Sequence, residues 1–143
     1  MRKKFTPVLI VIVFLVFGCS KDFLKKYEKR IIGGEWKITD LKRRGFGGNT
    51  ASLPFQEGGR FNFQGGGIVT FTDNSGNVYT GNWDITKKRF DDDTWRSLEV
   101  SVADFNNQQF LFENYDDMQF SGTDHFKATI YSGTHSYITH FRR

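Results

Sequence analysis

Cysteine is almost absent from this 143-residue chain, because Cys19 is the only one. The chain therefore cannot form an intramolecular disulfide. Familiar catalytic motifs are also missing: there is no nucleophile elbow, no His-Glu-x-x-His, no phosphate-binding loop and no convincing carboxylate pair. We therefore expect neither catalytic residues nor a cofactor, and a protein that is not an enzyme.

A second absence concerns helices. After residue 33 no helical pattern is long enough for a crossover between parallel strands, so any sheet should be antiparallel. The apolar run near the start is also short, since only residues 5–20 separate Lys4 from Lys21. A membrane-spanning helix needs about 20 apolar residues, so this run is typical of a signal and not of a permanent anchor.

The first residues follow the order of a secretory signal, with Arg2, Lys3 and Lys4 before the apolar run. The run ends in Val16-Phe17-Gly18-Cys19, which resembles the lipobox of bacterial lipoproteins. This resemblance implies that residues 1–18 are a cleaved signal peptide and that Cys19 is the lipid-attachment residue, so that acylation makes membrane lipid the first partner. Ser20 does not resemble the inner-membrane retention signal, which favours the outer membrane of the cell envelope.

Removal of the signal changes the charge of the protein. The precursor has 20 basic and 16 acidic residues, and loss of three basic residues leaves 17 against 16. With so small an excess, nucleic acid is not expected as a partner. The remaining basicity is concentrated in a tether over residues 19–32, where it would suit an anionic lipid surface. Phe23, Tyr27 and Ile31 recur at helical spacing within this tether, and Gly33 and Gly34 end the pattern.

From Glu35 onward apolar residues alternate with polar ones, as in half-buried strands. Residues 73–77 and 132–134 have the composition of hairpin loops, whereas residues 42–59 and 86–94 are predicted to be less ordered. The pattern predicts one all-β domain over residues 33–143, with eight or nine antiparallel strands arranged as an up-and-down barrel or a sandwich.

Four elements of this domain resemble the small lipocalin-like domains of bacterial lipoproteins: Gly34-Glu-Trp36, Tyr79-Thr-Gly81-Asn-Trp83, Met118-Gln-Phe120-Ser-Gly122-Thr-Asp124, and Tyr137 to Arg142. The resemblance implies an eight-stranded lipocalin-like barrel. It also implies that an arginine of the last strand, Arg142, packs across Trp36 and closes the base of the barrel.

Many aromatic residues remain after the signal, and they allow two interpretations. They could line a pocket for a small apolar or amphipathic ligand, or simply fill a core. The candidate lining residues are Trp36, Phe61, Phe63, Phe71, Tyr79, Trp83, Phe112, Phe120 and Tyr137. If the core is filled, the protein is instead an interaction module that binds an envelope protein or a glycan, and aromatic residues in or beside the long loops would make the contacts: Phe46, Phe55, Phe90 and Trp95.

Two groups of metal-binding residue types carry no metal prediction. His125 and His140 would face each other if Ser132-Gly133 is a two-residue hairpin loop, but no third ligand is evident. Asp91, Asp92 and Asp93 are consecutive and therefore lack the alternate spacing of a calcium loop. Both groups are expected to be solvated surface residues.

Overall fold

A computed structural model describes residues 24–47 and 51–143. The predicted signal peptide, Cys19 and Phe23 lie outside these residues. Residues 24–31 form a helix, α1. The strands that follow are β1 Glu35–Arg44, β2 Arg60–Gln64, β3 Ile68–Thr72, β4 Val78–Phe90, β5 Asp93–Asp104, β6 Gln109–Tyr115, β7 Asp117–Phe120, β8 His125–Ser132 and β9 His135–Arg142.

The strands form one antiparallel sheet in the order β6-β5-β4-β3-β2-β1-β9-β8-β7. The prediction of an all-β, antiparallel fold is confirmed. Strands adjacent in the chain are neighbours in the sheet, apart from β6 and β7, and β1 lies beside β9. In the described part of the chain no ladder joins β6 to β7, so the sheet is not closed. The chain changes partners at this point: Tyr115 pairs with Leu98 of β5, whereas Asp117 pairs with Thr129 of β8.

Alternation along the strands positions the core. In β1 the side chains of Trp36 and Ile38 are buried while Glu35 and Lys37 are exposed, and β2 repeats this with Phe61 and Phe63. Burying each such apolar side chain stabilises the fold by about 1.5–3 kcal/mol. α1 covers the end of the sheet where β1 begins, which we call the base, and its residue Ile31 belongs to the same core.

The prediction of a loop over residues 86–94 is wrong. β4 and β5 continue as a two-stranded ribbon in which Thr86 pairs with Ser97 and Phe90 with Asp93. Only Asp91 and Asp92 form the turn, and Asp91 has a positive φ of 48°, which aspartate tolerates in tight hairpins. The charged residues in the ribbon are mostly exposed, so they lack the apolar alternation by which a half-buried strand is recognised.

Candidate functional site

Most of the candidate lining residues face the interior. Seven of the nine are buried, with 0–7% of their surface exposed, and these are Trp36, Phe61, Phe63, Phe71, Tyr79, Trp83 and Tyr137. Phe120 is partly buried at the base, where its ring centroid lies 5.6 Å from that of Tyr27 in α1. The interior assignment of Phe112 is wrong, because this residue is 47% exposed, on the outer face of β6.

The reversed face of β6 has a physical reason. Apolar residues occur on both faces of this strand, so alternation alone allows either orientation. Pairing with β5 decides it, because Leu111 lies opposite Val102 and Tyr115 opposite Leu98, both of which are buried. Phe110 and Phe112 therefore point outward.

The buried aromatic rings pack against one another. The ring centroids of Phe61 lie 5.4 Å from Phe63, 4.6 Å from Phe71 and 5.8 Å from Phe141. Phe55, from the segment before β2, is fully buried and adds a ring 5.0 Å from Phe61 and 4.9 Å from Phe71. These separations are those of aromatic rings in contact. The space that a ligand would need around Phe61 is therefore occupied by side chains.

Some predicted lining residues reach surface clefts instead. Trp83 borders a cleft of about 430 Å³ beside α1, together with Glu28 and Ile32. Tyr137 borders a second cleft of about 400 Å³ with Leu41 and Leu53. Phe71 and Tyr79 border a third cleft of about 160 Å³. These four predicted lining residues thus border three separate clefts.

The arginine at the base is not the predicted one. The guanidinium carbon of Arg143 lies 4.8 Å from the ring centroid of Trp36, a distance typical of a cation–π contact. Its Nη1 also donates a 2.6 Å hydrogen bond to the carbonyl of Gly33. Arg142 is exposed, because the neighbouring Phe141 takes the buried side of β9. The prediction that Arg142 packs across Trp36 is therefore wrong, because the next residue, Arg143, makes this contact.

Trp36 itself ties α1 to the sheet. Its Nε1 donates a 2.7 Å hydrogen bond to the carbonyl of Ile31, and its ring meets Phe126 edge to face at 4.8 Å. The guanidinium of Arg30 lies 4.2 Å from the ring centroid of Phe120. The tether that follows the predicted lipidation site is therefore part of the folded domain from residue 24 onward.

An aromatic platform lies on the outer surface, where the β4–β5 ribbon approaches β8. The ring of Trp95 lies 5.1 Å from Phe90 on one side and 5.1 Å from Tyr131 on the other. Phe90 is 52% exposed and Tyr131 is 50% exposed, while Trp95 is half-buried. The sequence singled out Phe90 and Trp95 but not Tyr131, since nothing local links residue 131 to a turn 40 positions earlier. Of the other two aromatic residues that were predicted to make contacts from loops, Phe46 is 98% exposed and lies outside the platform, whereas Phe55 is buried.

The histidine pair forms, but in another register. The hairpin loop is Gly133-Thr134, so His125 pairs with Arg142 and His140 with Lys127. The two histidines are diagonal neighbours on one face, with 3.3 Å between His125 Nε2 and His140 Nδ1. Burial, helped by the charges of His125 and Lys42, lowers the pKa of His140.

Two aspartates, Asp73 and Asp104, stabilise turns. Asp73 accepts hydrogen bonds from the backbone N–H groups of Ser75 and Asn77, and Asp104 accepts one from Asn106. Hydrogen bonds, chiefly from the side chains of Asn77 and Asn107, lower the pKa values of Asp73 and Asp104. Among residues 24–47 and 51–143, no group of three or more His, Cys, Asp or Glu side chains could hold a metal ion.

Comparisons with known proteins give no relative: no family, no curated protein and no solved structure matches the chain. None of the helices in the described residues is long and apolar enough to cross a membrane.

Proposed function

We propose that the protein is a lipid-anchored, non-enzymatic interaction module of the bacterial cell envelope, tethered through Cys19 and destined for the outer membrane. The strand order supports a lipocalin-like domain in this proposal, because β1 returns beside β9; the sheet is open between β6 and β7. The protein's partner is an envelope protein or a glycan, which it meets on its surface.

The observation that carries this proposal is the contrast between a filled interior and an exposed aromatic platform. The rings around Phe61 contact one another in the interior, while Phe90 and Tyr131, on either side of the half-buried Trp95, present apolar surface to solvent. Exposed aromatic groups of this kind are typical of contact sites.

A second candidate function is supported by the cleft beside Tyr137. Leu41 and Leu53 give it an apolar wall, and Lys42 and Arg43 border it. A small amphipathic molecule with an anionic head would suit this lining. This candidate differs from an interior pocket because the ligand would lie at the surface.

Affinity capture of the protein from detergent-solubilised envelope tests the platform. We expect Trp95→Ala to abolish co-elution of the partner, and Phe112→Ala, which removes an exposed ring elsewhere, to leave it unchanged. Equal co-elution with both variants would contradict the platform. Stoichiometric co-extraction of a lipid that is lost in Tyr137→Ala would favour the cleft instead.

The anchor is tested separately. Cys19→Ser should leave the protein unlipidated, so that it is released from membranes or remains unprocessed. Metabolic labelling with a fatty acid measures this, and undiminished label in the variant would contradict lipid attachment at Cys19.

A further inference from the structure

Basic residues form a row across four strands of the sheet. Arg60 of β2 pairs with Lys37 of β1, Lys37 pairs with Arg142 of β9, and Arg142 pairs with His125 of β8. Because direct partners point to the same side of a sheet, these four side chains share one face. Lys37, Arg60 and Arg142 are all exposed, so this is the outer face.

A second row lies beside the first. His140 pairs with Asp40 on one side and with Lys127 on the other. The strand register shifts between Ile38 and Asp40, and this bulge turns Asp40 outward when regular alternation would have pointed it to the core. The 3.3 Å contact between His125 and His140 joins the two rows. We call this surface the basic face: Lys37, Arg60, Lys127, Arg142, His125 and His140.

The charges of the basic face are only partly balanced. The two carboxylates that β1 contributes each have a cation nearby: Asp40 lies 2.9 Å from Lys42, and Glu35 lies 3.7 Å from Arg60. Within the described residues no carboxylate lies within ion-pair distance of Lys37, Lys127 or Arg142. Like charges on directly paired positions destabilise a sheet, so the arrangement of Lys37 beside Arg142 suits an anion supplied from outside.

The position of the row in the molecule identifies the anion. Lys37, Arg142 and His125 lie where β1 and β8 begin and β9 ends, which is the base that α1 covers. Only four residues lie between Cys19 and Leu24, the first described residue, and the five Cα-to-Cα steps from Cys19 to Leu24 span at most about 18 Å. The exposed side chains of Lys25, Lys26 and Lys29 on α1 add positive charge at the same end.

We propose that the basic face lies against the anionic lipid headgroups of the membrane that holds Cys19, and so fixes the orientation of the domain. This inference rests on the proposed lipid anchor. Phosphate groups in the headgroup layer would accept hydrogen bonds from Arg142 and Lys37. The aromatic platform, on the β4–β5 ribbon and β8, then remains available for the partner.

The test uses the processed, full-length lipoprotein in nanodiscs of phosphatidylcholine alone or of phosphatidylcholine with phosphatidylglycerol. Neither lipid has a primary amine, so an amine-reactive reagent reports the exposure of lysines by mass spectrometry. We expect labelling of Lys37 and Lys127 to slow in the anionic discs and to recover in high salt. Labelling of Lys88 should be the same in both kinds of disc.

The variant Arg142→Gln should lower the ratio of docked to undocked protein about fivefold, which corresponds to about 1 kcal/mol per basic residue near an anionic surface. The matched control is Arg89→Gln.

Equal labelling of Lys37 and Lys127 in both kinds of disc would overturn the proposal, as would protection that high salt does not reverse. Protection by a soluble polyanion but not by anionic discs would overturn it in favour of an acidic glycan. Failure of the anchor is distinguishable from all of these, because a chain without lipid on Cys19 would lack the added mass of the acyl groups.

Discussion

At the scale of single residues, Trp36 contributes to the stability of the fold through both its ring and its indole N–H. It is fully buried, and its indole N–H bonds to Ile31 while its ring contacts Phe126 and Arg143. Trp36→Ala should lower the free energy of unfolding by about 3–5 kcal/mol, because it leaves a cavity at the base. Urea unfolding measures this, with Phe105→Ala as the control because Phe105 is 86% exposed. A loss below about 1 kcal/mol would contradict the placement of Trp36.

The two terminal arginines provide a matched pair. Arg143→Ala removes a cation–π contact and a hydrogen bond to Gly33, so we expect a loss of about 0.5–2 kcal/mol. Arg142→Ala removes an exposed side chain and should change stability by less than about 0.5 kcal/mol. The same urea titration compares the two variants. A larger loss of stability in Arg142→Ala than in Arg143→Ala would contradict the contact between Arg143 and Trp36.

His140 should make stability depend on pH. Its pKa is lowered by burial and by His125, Lys42 and Lys127, which outweigh the opposing effect of Asp40. Since the unfolded chain then binds a proton more readily than the folded one, the contribution of His140 is complete above its ordinary pKa near 6.5 and is lost as pH falls through the lowered value. His140→Gln should flatten the decline of stability between pH 7.5 and 5. An unchanged slope in denaturant unfolding across this range would count against it.

At the scale of elements, β4 and β5 approach so closely that a side chain is excluded at Gly81. A Cβ atom on Gly81 would lie 1.9 Å from the carbonyl oxygen of Ser101. Gly81→Ala should therefore destabilise the protein by about 1–3 kcal/mol through overpacking, whereas Thr80→Ala next to it should have a small effect. Thermal unfolding tests this prediction. Equal melting temperatures for the two variants would show that β4 and β5 can move apart at Gly81 without loss of stability.

The elements also show what a sequence can predict. Alternation was sufficient for β2 and for the start of β1, where one face is apolar and the other polar, so the interior positions of Trp36, Phe61 and Phe63 were predicted correctly. It failed for β6, where either Phe112 or Leu111 could face the core by alternation alone. Pairing with β5 places Leu111 on the inner face. It also failed for the β4–β5 ribbon, whose exposed residues carry no alternation. Contacts between distant segments, such as Tyr131 with Trp95, have no local signal.

At the scale of the whole molecule, the location of binding depends on whether the interior is filled. The aromatic rings that were candidates to line a pocket instead contact one another around Phe61. Phe55, which lies in the segment before β2, is buried against Phe61. We therefore expect this domain to bind at its surface. The proposed partner contact through the aromatic platform agrees with that expectation, whereas the proposed membrane contact rests on the charges of the basic face.

Native mass spectrometry of the lipoprotein, extracted gently from membranes, tests the filled interior most directly. We expect a mass equal to that of the chain from Cys19 plus its covalent acyl groups, with no additional small molecule. A stoichiometric apolar ligand of a few hundred daltons that is retained in Tyr137→Ala and Trp95→Ala, but lost in Phe61→Ala, would contradict a filled interior.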